Sequence, residues 1–123
     1  MAAERVTWIP AVPASVITWL NSPLRSRYDL TSIRTLAVRG SRLNPEPARR
    51  VLAELGPVLT QVFGMAEGLL CATRATDPAE VVVETQGRPV SPDDEIRVVG
   101  DDGRPVPAGS RSAPTGCTRS ASS

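Results

Sequence analysis

Residues 33 to 63 read IRTLAVRGSRLNPEPARRVLAELGPVLTQVF, and this stretch decides the fold. It opens on a strand, Ile33 to Val38, whose Leu36-Ala37-Val38 core is continuously apolar. A continuous run, unlike an alternating one, suits a parallel sheet covered on both faces. Helix signals follow. Asn44 can cap, Pro45 fits the first helical position, and Glu46 favours the positive end of the helix dipole. Ala48, Val51, Leu52 and Leu55 recur at i, i+3, i+4 and i+7, with Arg49, Arg50 and Glu54 on the outward face, and Gly56-Pro57 ends the helix. Val58 to Phe63 is the next strand. Strand, helix and strand at this spacing make a βαβ unit with parallel strands and a right-handed crossover.

Upstream, Val6 to Ile9 forms a short strand stopped by Pro10 and Pro13, and Val16, Ile17 and Leu20 mark one face of a helix that ends before Pro23. Downstream the pattern becomes β-rich. Leu69 to Thr73 and Val81 to Thr85 read as strands around an Asp77-Pro78 turn. Glu95 to Val99 alternates, with Ile96 and Val98 on one face, before the Asp102-Gly103 turn. Residues 110–123 hold five serines, two arginines and no acid, leucine, isoleucine, valine or aromatic residue. Such a segment buries no apolar surface and is expected to be disordered. The expected organisation is α/β: residues 1–74 an α/β part with a partial parallel sheet, residues 75–109 a β-rich part, and residues 110–123 a disordered tail.

The chain of 123 residues is 41% apolar and 22% charged, with net charge +1. This balance gives no electrostatic reason to expect nucleic acid or membrane as a partner. No stretch approaches the roughly 20 apolar residues of a membrane span, and the opening residues lack an apolar leader, so a cytoplasmic location is expected. All 14 basic residues are Arg, and there is no His. The commonest general base and the commonest point-charge phosphate ligand are therefore both missing. Cys71 and Cys117 lack the spacing of a metal site or a disulfide framework.

Chemistry is expected where the strand ending at Phe63 runs into Gly64-Met65-Ala66-Glu67-Gly68. The carboxyl edge of a parallel sheet is where ligands bind. Gly64 lets a ligand approach the backbone, Phe63 offers a flat face for a purine, and the Glu67 carboxylate is a hard ligand suited to Mg²⁺. A second glycine turn, Arg39-Gly40-Ser41-Arg42, follows the neighbouring strand and opens onto the same edge.

Gln61-Val62-Phe63-Gly64-Met65-Ala66-Glu67-Gly68 resembles the adenine-and-magnesium motif of the adenylate-forming superfamily, which includes acyl-CoA synthetases, luciferases and peptide-synthetase adenylation domains. Its Met-Ala-Glu-Gly form is similar to that of 2,3-dihydroxybenzoate and salicylate AMP ligases of siderophore assembly. Arg39-Gly40-Ser41-Arg42-Leu43 resembles the family's Gly-Gly-Ala-Arg-Leu turn. Thr85-Gln86-Gly87-Arg88-Pro89 and Ser91-Pro92-Asp93-Asp94-Glu95 resemble the motifs that follow, and the likeness spans residues 5–109. It implies a partial parallel sheet from the large N-terminal domain of an AMP-forming ligase. It also implies ATP and Mg²⁺ as cofactors, with an aryl acid and the phosphopantetheine arm of an aryl carrier protein as partners.

Residue by residue, the resemblance places the nucleotide beside Gly40, Ser41, Arg42, Val62, Phe63, Gly64 and Met65. It places the aryl acid against Ser41, Ala66 and Leu70, and Mg²⁺ on Glu67. Ala66 stands where the family usually has Thr, Ser41 where it often has Ala, and Arg39 where it has Gly. The family's Lys-bearing phosphate loop, His-containing aryl-acid motif, ribose-binding Asp and catalytic Lys have no counterpart here. The isolated chain is therefore expected to be an inactive fragment of such a ligase. The serine-rich tail stands where the family continues towards the ribose site, which suggests a frameshift near Gly109, and the early first strand suggests an internal start or a gene remnant. The other two readings are a piece of an acyl-CoA synthetase for a different acid and a non-catalytic module that complements a second polypeptide.

Overall fold

The computed structural model describes residues 4–66, residues 68–106 and the backbone of residues 116–119. Two units result, Met1–Val90 and Ser91–Ser123. The first holds β1 (Trp8–Ala11), α1 (Pro13–Leu20), a short 3-10 turn (Arg25–Arg27), β2 (Thr35–Val38), α2 (Pro45–Leu55), β3 (Leu59–Gly64), β4 (Leu70–Ala72), α3 (Ala79–Glu84) and β5 (Arg88–Pro89). Its sheet has the order β1-β2-β3-β4-β5; the first three strands are parallel, and β4 and β5 join antiparallel.

The βαβ unit is present as β2-α2-β3, with Leu36 opposite Leu59 and Val38 opposite Gln61. Leu36, Val38, Ala48, Val51 and Leu59 are all buried in one aliphatic core with Val16 and Leu20 of α1. Gly56 ends α2 as the sequence demands, at φ 80°, with its N–H donating to the Leu52 carbonyl at 3.1 Å. Asn44 stands at the start of α2 but makes no side-chain capping bond.

Five further expectations need correction. β1 runs through Pro10 to Ala11 instead of stopping before the proline. β1 is an edge strand, and the carbonyls of Thr7 and Ala11 accept from Thr35 and Arg39 of the β2 side. Alternation turns Pro10's nitrogen the other way, where no N–H is needed. Ile17 is exposed, because α1 buries only its Val16 and Leu20 face. Arg50 faces outward only in part. Its guanidinium folds back onto the end of α1, donating to the Leu20 carbonyl at 3.2 Å and the Asn21 side chain at 3.1 Å, and so supplies donors to a helix end whose carbonyls lack them.

The fourth correction is the largest. Val81 to Thr85 is not a strand; Ala79–Glu84 is helix α3. The valines favour strands locally, but Val82 and Val83 are buried in the core beside α2. The terminal carbonyls of α3 also find tertiary donors: Gln61 Nε2 reaches the Val82 carbonyl at 2.7 Å, and Arg42 Nη1 reaches that of Glu84 at 2.6 Å. Residues 75–90 accordingly belong with the first unit. The fifth is β5, a short strand that the sequence pattern did not predict; it closes the sheet where Arg74 Nη2 donates to the Pro89 carbonyl at 2.8 Å.

In the second unit β6 (Ile96–Val99) pairs antiparallel with β7 (Gly116–Arg119). Val99 bridges Pro105 around the expected Asp102-Gly103 turn, where Gly103 has φ 73°. Ile96 and Val98 are both exposed. β7 lies inside the serine-rich tail, whose remaining residues fall outside those described. Strand pairing uses backbone groups, so apolar side chains are not a prerequisite for it.

Two glycines at positive φ separate conformational from steric need. A Cβ on Gly87 would lie 2.0 Å from the carbonyl carbon and oxygen of Ala72, whereas one on Gly56 would meet nothing within 4 Å. Gly56→Ala is expected to cost about 1–3 kcal/mol from backbone strain alone. Gly87→Ala is expected to cost more than about 4 kcal/mol or to prevent folding, since backbone must move. Urea unfolding of both variants checks this, and equal losses would contradict the close approach.

Candidate functional site

Two turns leave the carboxyl ends of the adjacent parallel strands β2 and β3. The first, after Val38, carries Arg39 and Gly40; Gly40 has φ 89°, a conformation that strongly favours glycine. The second joins β3 to β4. It is closed by Met65 N–H donating to the Leu69 carbonyl and Gly68 N–H donating to that of Met65, both at 3.1 Å. Between the turns lies a cleft of about 430 Å³. Arg39, Gly40, Val62 and Gly64 line one part of it, and Met65, Gly68, Leu69 and Leu70 line the rest. The volume falls within the range of small-ligand sites, roughly 300–1,000 Å³.

The structure thus gathers Gly40, Val62, Gly64, Met65 and Leu70 from the sequence-predicted set. Ser41, Phe63 and Ala66 are not among the lining residues. Ser41 and Ala66 are exposed on the turns, and Phe63 alternates with Val62, so it shares the face of Gln61 and is only half-buried. Arg42 is drawn away to α3, against the Glu84 carbonyl and 3.9 Å from its carboxylate. Glu67 lies outside the described residues. Arg39, Gly68 and Leu69 line the cleft without having been assigned a role; only their flanking positions in the two turns hinted at it.

The geometry of both turns leads back to Gln61. This side chain is fully buried. Its Oε1 accepts from the Leu43 N–H at 2.8 Å, and its Nε2 donates to Val82 O at 2.7 Å and Val83 O at 3.4 Å. The partners fix which end of the amide is which, because an N–H must meet oxygen and a carbonyl must meet N–H. Its backbone N–H donates to Thr73 Oγ1 at 2.9 Å, and its carbonyl accepts from Thr73 N–H at 3.0 Å. One residue therefore ties the first turn, α3 and the β3-β4 hairpin together. A second amide assists: Gln86 Nε2 donates to the Val62 carbonyl at 3.2 Å, directly behind the cleft wall.

The lining suits a flat, largely apolar group. Glycines at 40, 64 and 68 leave backbone accessible, four apolar side chains form walls, and Arg39 adds a cation at the rim. A Cβ on Gly64 would sit 3.1 Å from the Leu70 Cδ1 atom, so even a methyl group there crowds the cleft. The set does not by itself fit a metal. Among the described residues no carboxylate lines the cleft, and no group of three or more His, Cys, Asp or Glu residues is assembled. Among those residues, no helix is long and apolar enough to cross a membrane.

A family model described as AMP-binding enzyme matches residues 1–113. The salicyl-AMP ligase / salicyl-S-ArCP synthetase of Mycobacterium tuberculosis is 53% identical over 110 residues, covering 88% of this chain and 20% of that protein. A 2-hydroxy-7-methoxy-5-methyl-1-naphthoate–CoA ligase of Streptomyces carzinostaticus is 56% identical over 110 residues, covering 89% and 20%. Among solved structures, apo MbtA of Mycobacterium smegmatis superposes with a TM-score of 0.77 at 45% identity, over 89% of this chain and 19% of its own. The chain spans about a fifth of the length of these relatives.

Replacing Gln61 by Leu strands the Leu43 N–H and the Val82 carbonyl in the core. At about 1–3 kcal/mol for each unsatisfied buried group, the expected loss is about 2–6 kcal/mol. Urea unfolding monitored by tryptophan fluorescence tests this, and a loss under about 1 kcal/mol contradicts the assigned role.

Proposed function

The chain belongs to the AMP-binding enzyme family, and from that premise we propose that it forms one corner of the acyl-adenylate site of an aryl-acid-activating ligase. One observation carries the reading: the glycine turns after β2 and β3, remote in sequence, face each other across a single apolar-walled cleft. In the proposed reaction a carboxylate oxygen of salicylate or 2,3-dihydroxybenzoate attacks the α-phosphorus of ATP and pyrophosphate leaves. The acyl group then passes from the mixed anhydride to a carrier-protein thiol, as in siderophore assembly. The part played by this chain is binding. Gly40 and Gly64 admit the planar groups to the backbone, and Val62, Met65, Leu69 and Leu70 shield the anhydride from water. Arg39 places a positive charge at the rim, where phosphate is attracted. Glu67 is the one carboxylate of the turn and the residue proposed to hold Mg²⁺, with other donors completing the site.

A second reading rests on the naphthoate–CoA ligase, which is as similar as the AMP ligases: the acyl acceptor is coenzyme A in place of a carrier protein. Both acceptors present the same thiol arm, and the adenylate half-reaction is common to them.

The chain contains neither Lys nor His. Losing even one oxyanion-type donor costs about 100- to 1,000-fold in rate, so the chain alone should bind without turnover. Isothermal titration with a non-hydrolysable acyl-sulfamate analogue of salicyl-AMP is expected to show binding to the chain, weakened at least tenfold by Gly64→Val. ATP–pyrophosphate exchange with salicylate is expected to stay at the level of Glu67→Ala. The binding reading fails if the analogue leaves no heat of binding or ignores Gly64→Val. Exchange above the Glu67→Ala control overturns the expected inactivity.

A further inference from the structure

A second cavity opens at the other end of the parallel strands, between the segment that leads into β2 and the last residues of α2. It measures about 320 Å³, within the range of small-ligand sites. Among the described residues it shares no lining side chain with the cleft at Gly40 and Gly64. Leu30 and Leu55, both half-buried, supply apolar surface, and beside them stands the ring of Tyr28, which is 59% exposed. Asp29 is held in place by Thr31: its Oδ1 accepts the Thr31 hydroxyl at 2.7 Å and the Thr31 N–H at 3.0 Å. Its Oδ2 has no described donor.

The charges around this cavity are unequal in what they leave free. Arg25 is paired with Glu54, and its Nε is buried. Glu54 also takes Arg50 Nε at 3.4 Å, while the other donors of Arg50 turn to the end of α1. Of the described charged side chains that line the cavity, Arg25 and Glu54 therefore offset each other, and Asp29 is left over. The Thr31 hydroxyl and N–H, and more weakly the charge of Arg5, hold the Asp29 carboxyl below the ordinary carboxylate range, so it is ionised at neutral pH. Helix α2 ends at this cavity with no basic residue in its last turn, and a helix carboxyl end carries partial negative charge. An aromatic face adds a third attraction for a cation. A carboxylate, a negative helix end and a ring thus favour a positive head group, and Leu30 and Leu55 favour a hydrocarbon body. We propose that this cavity binds a small organic ammonium ion, with its head between Asp29 Oδ2 and the Tyr28 ring and its body against Leu30 and Leu55. The proposal stands apart from the ligase reading, because it uses none of the cleft residues.

The test titrates the full chain with three probes that share one ring and differ in charge: the cyclohexylammonium ion, cyclohexanol and cyclohexanecarboxylate. Binding is read from the amide resonances of Tyr28, Asp29 and Leu55. Cyclohexylammonium is expected to shift these signals to saturation, and the neutral and anionic probes to bind at least fivefold more weakly. Asp29→Asn keeps an oxygen for the Thr31 bonds but removes the charge, and is expected to weaken cyclohexylammonium binding at least fivefold. Tyr28→Leu keeps apolar surface but removes the ring face, and is expected to weaken it about two- to fivefold, the range of an exposed cation–ring contact. Both residues are exposed, so both variants are expected to keep the melting transition of the chain. Three results overturn the site: no saturable shift, cyclohexanol or cyclohexanecarboxylate binding within fivefold of the ammonium ion, or binding by Asp29→Asn within fivefold of the parent chain. Preference for the carboxylate would show that Arg25 governs the cavity instead. Should Asp29→Asn fail to melt cooperatively, Tyr28→Leu decides, and binding as tight as that of the parent chain overturns the site.

Discussion

A single buried amide holds this structure in register. Gln61 is buried beside a largely aliphatic core, and every polar atom it brings is matched: Leu43 N–H on its oxygen, the Val82 and Val83 carbonyls on its nitrogen, and the likewise buried Thr73 on its backbone. A buried amide that is fully satisfied specifies geometry, because any displacement leaves a polar group stranded in low dielectric. The three segments it joins are not adjacent in sequence, and their relative placement sets the two turns that form the cleft. Fold and site are therefore linked through one residue.

The family-like motifs divide along the same line. Some of their residues touch the cleft, while others hold it. Gly40, Gly64 and Met65 line it. Gly87 is required because the Ala72–Thr73 peptide passes where a side chain would stand, and Gln86 fixes the Val62 carbonyl from behind. Thr85 closes its own turn, accepting from Gly87 N–H at 3.0 Å and donating to the Val81 carbonyl at 2.8 Å. Arg42 belongs with the supporting residues as well, since it caps α3. A motif recognised in sequence thus mixes contact with scaffolding, and only coordinates separate them.

What could be read from the sequence follows the range of the forces involved. Helix α2 was legible because its periodicity and Gly56 stop act within a dozen residues, and the parallel pairing of β2 and β3 followed from the connection length. Helix α3 was not legible. Its valines favour a strand, and the groups that favour the helix, Gln61 and Arg42, lie about 20 and 40 residues away. Pro10 misled for a related reason, since its acceptability depends on β1 being an edge. In the cleft, the glycines were legible from turn chemistry. The roles of Ser41, Arg42 and Ala66 came from resemblance and that of Phe63 from its flat ring at a strand end, and none of the four lines the cleft. The tertiary partner of Arg42 and the strand alternation of Phe63 explain two of these departures.

The most direct measurement of the central claim is amide hydrogen exchange at Leu43. This residue lies in the loop before α2, where exchange is ordinarily fast, but its N–H is buried against Gln61 Oε1. The account predicts protection comparable to the Leu36 and Gln61 amides of the central strands. Exchange at the rate of the neighbouring loop amides would contradict it, and with it the claim that one buried amide organises both the core and the cleft.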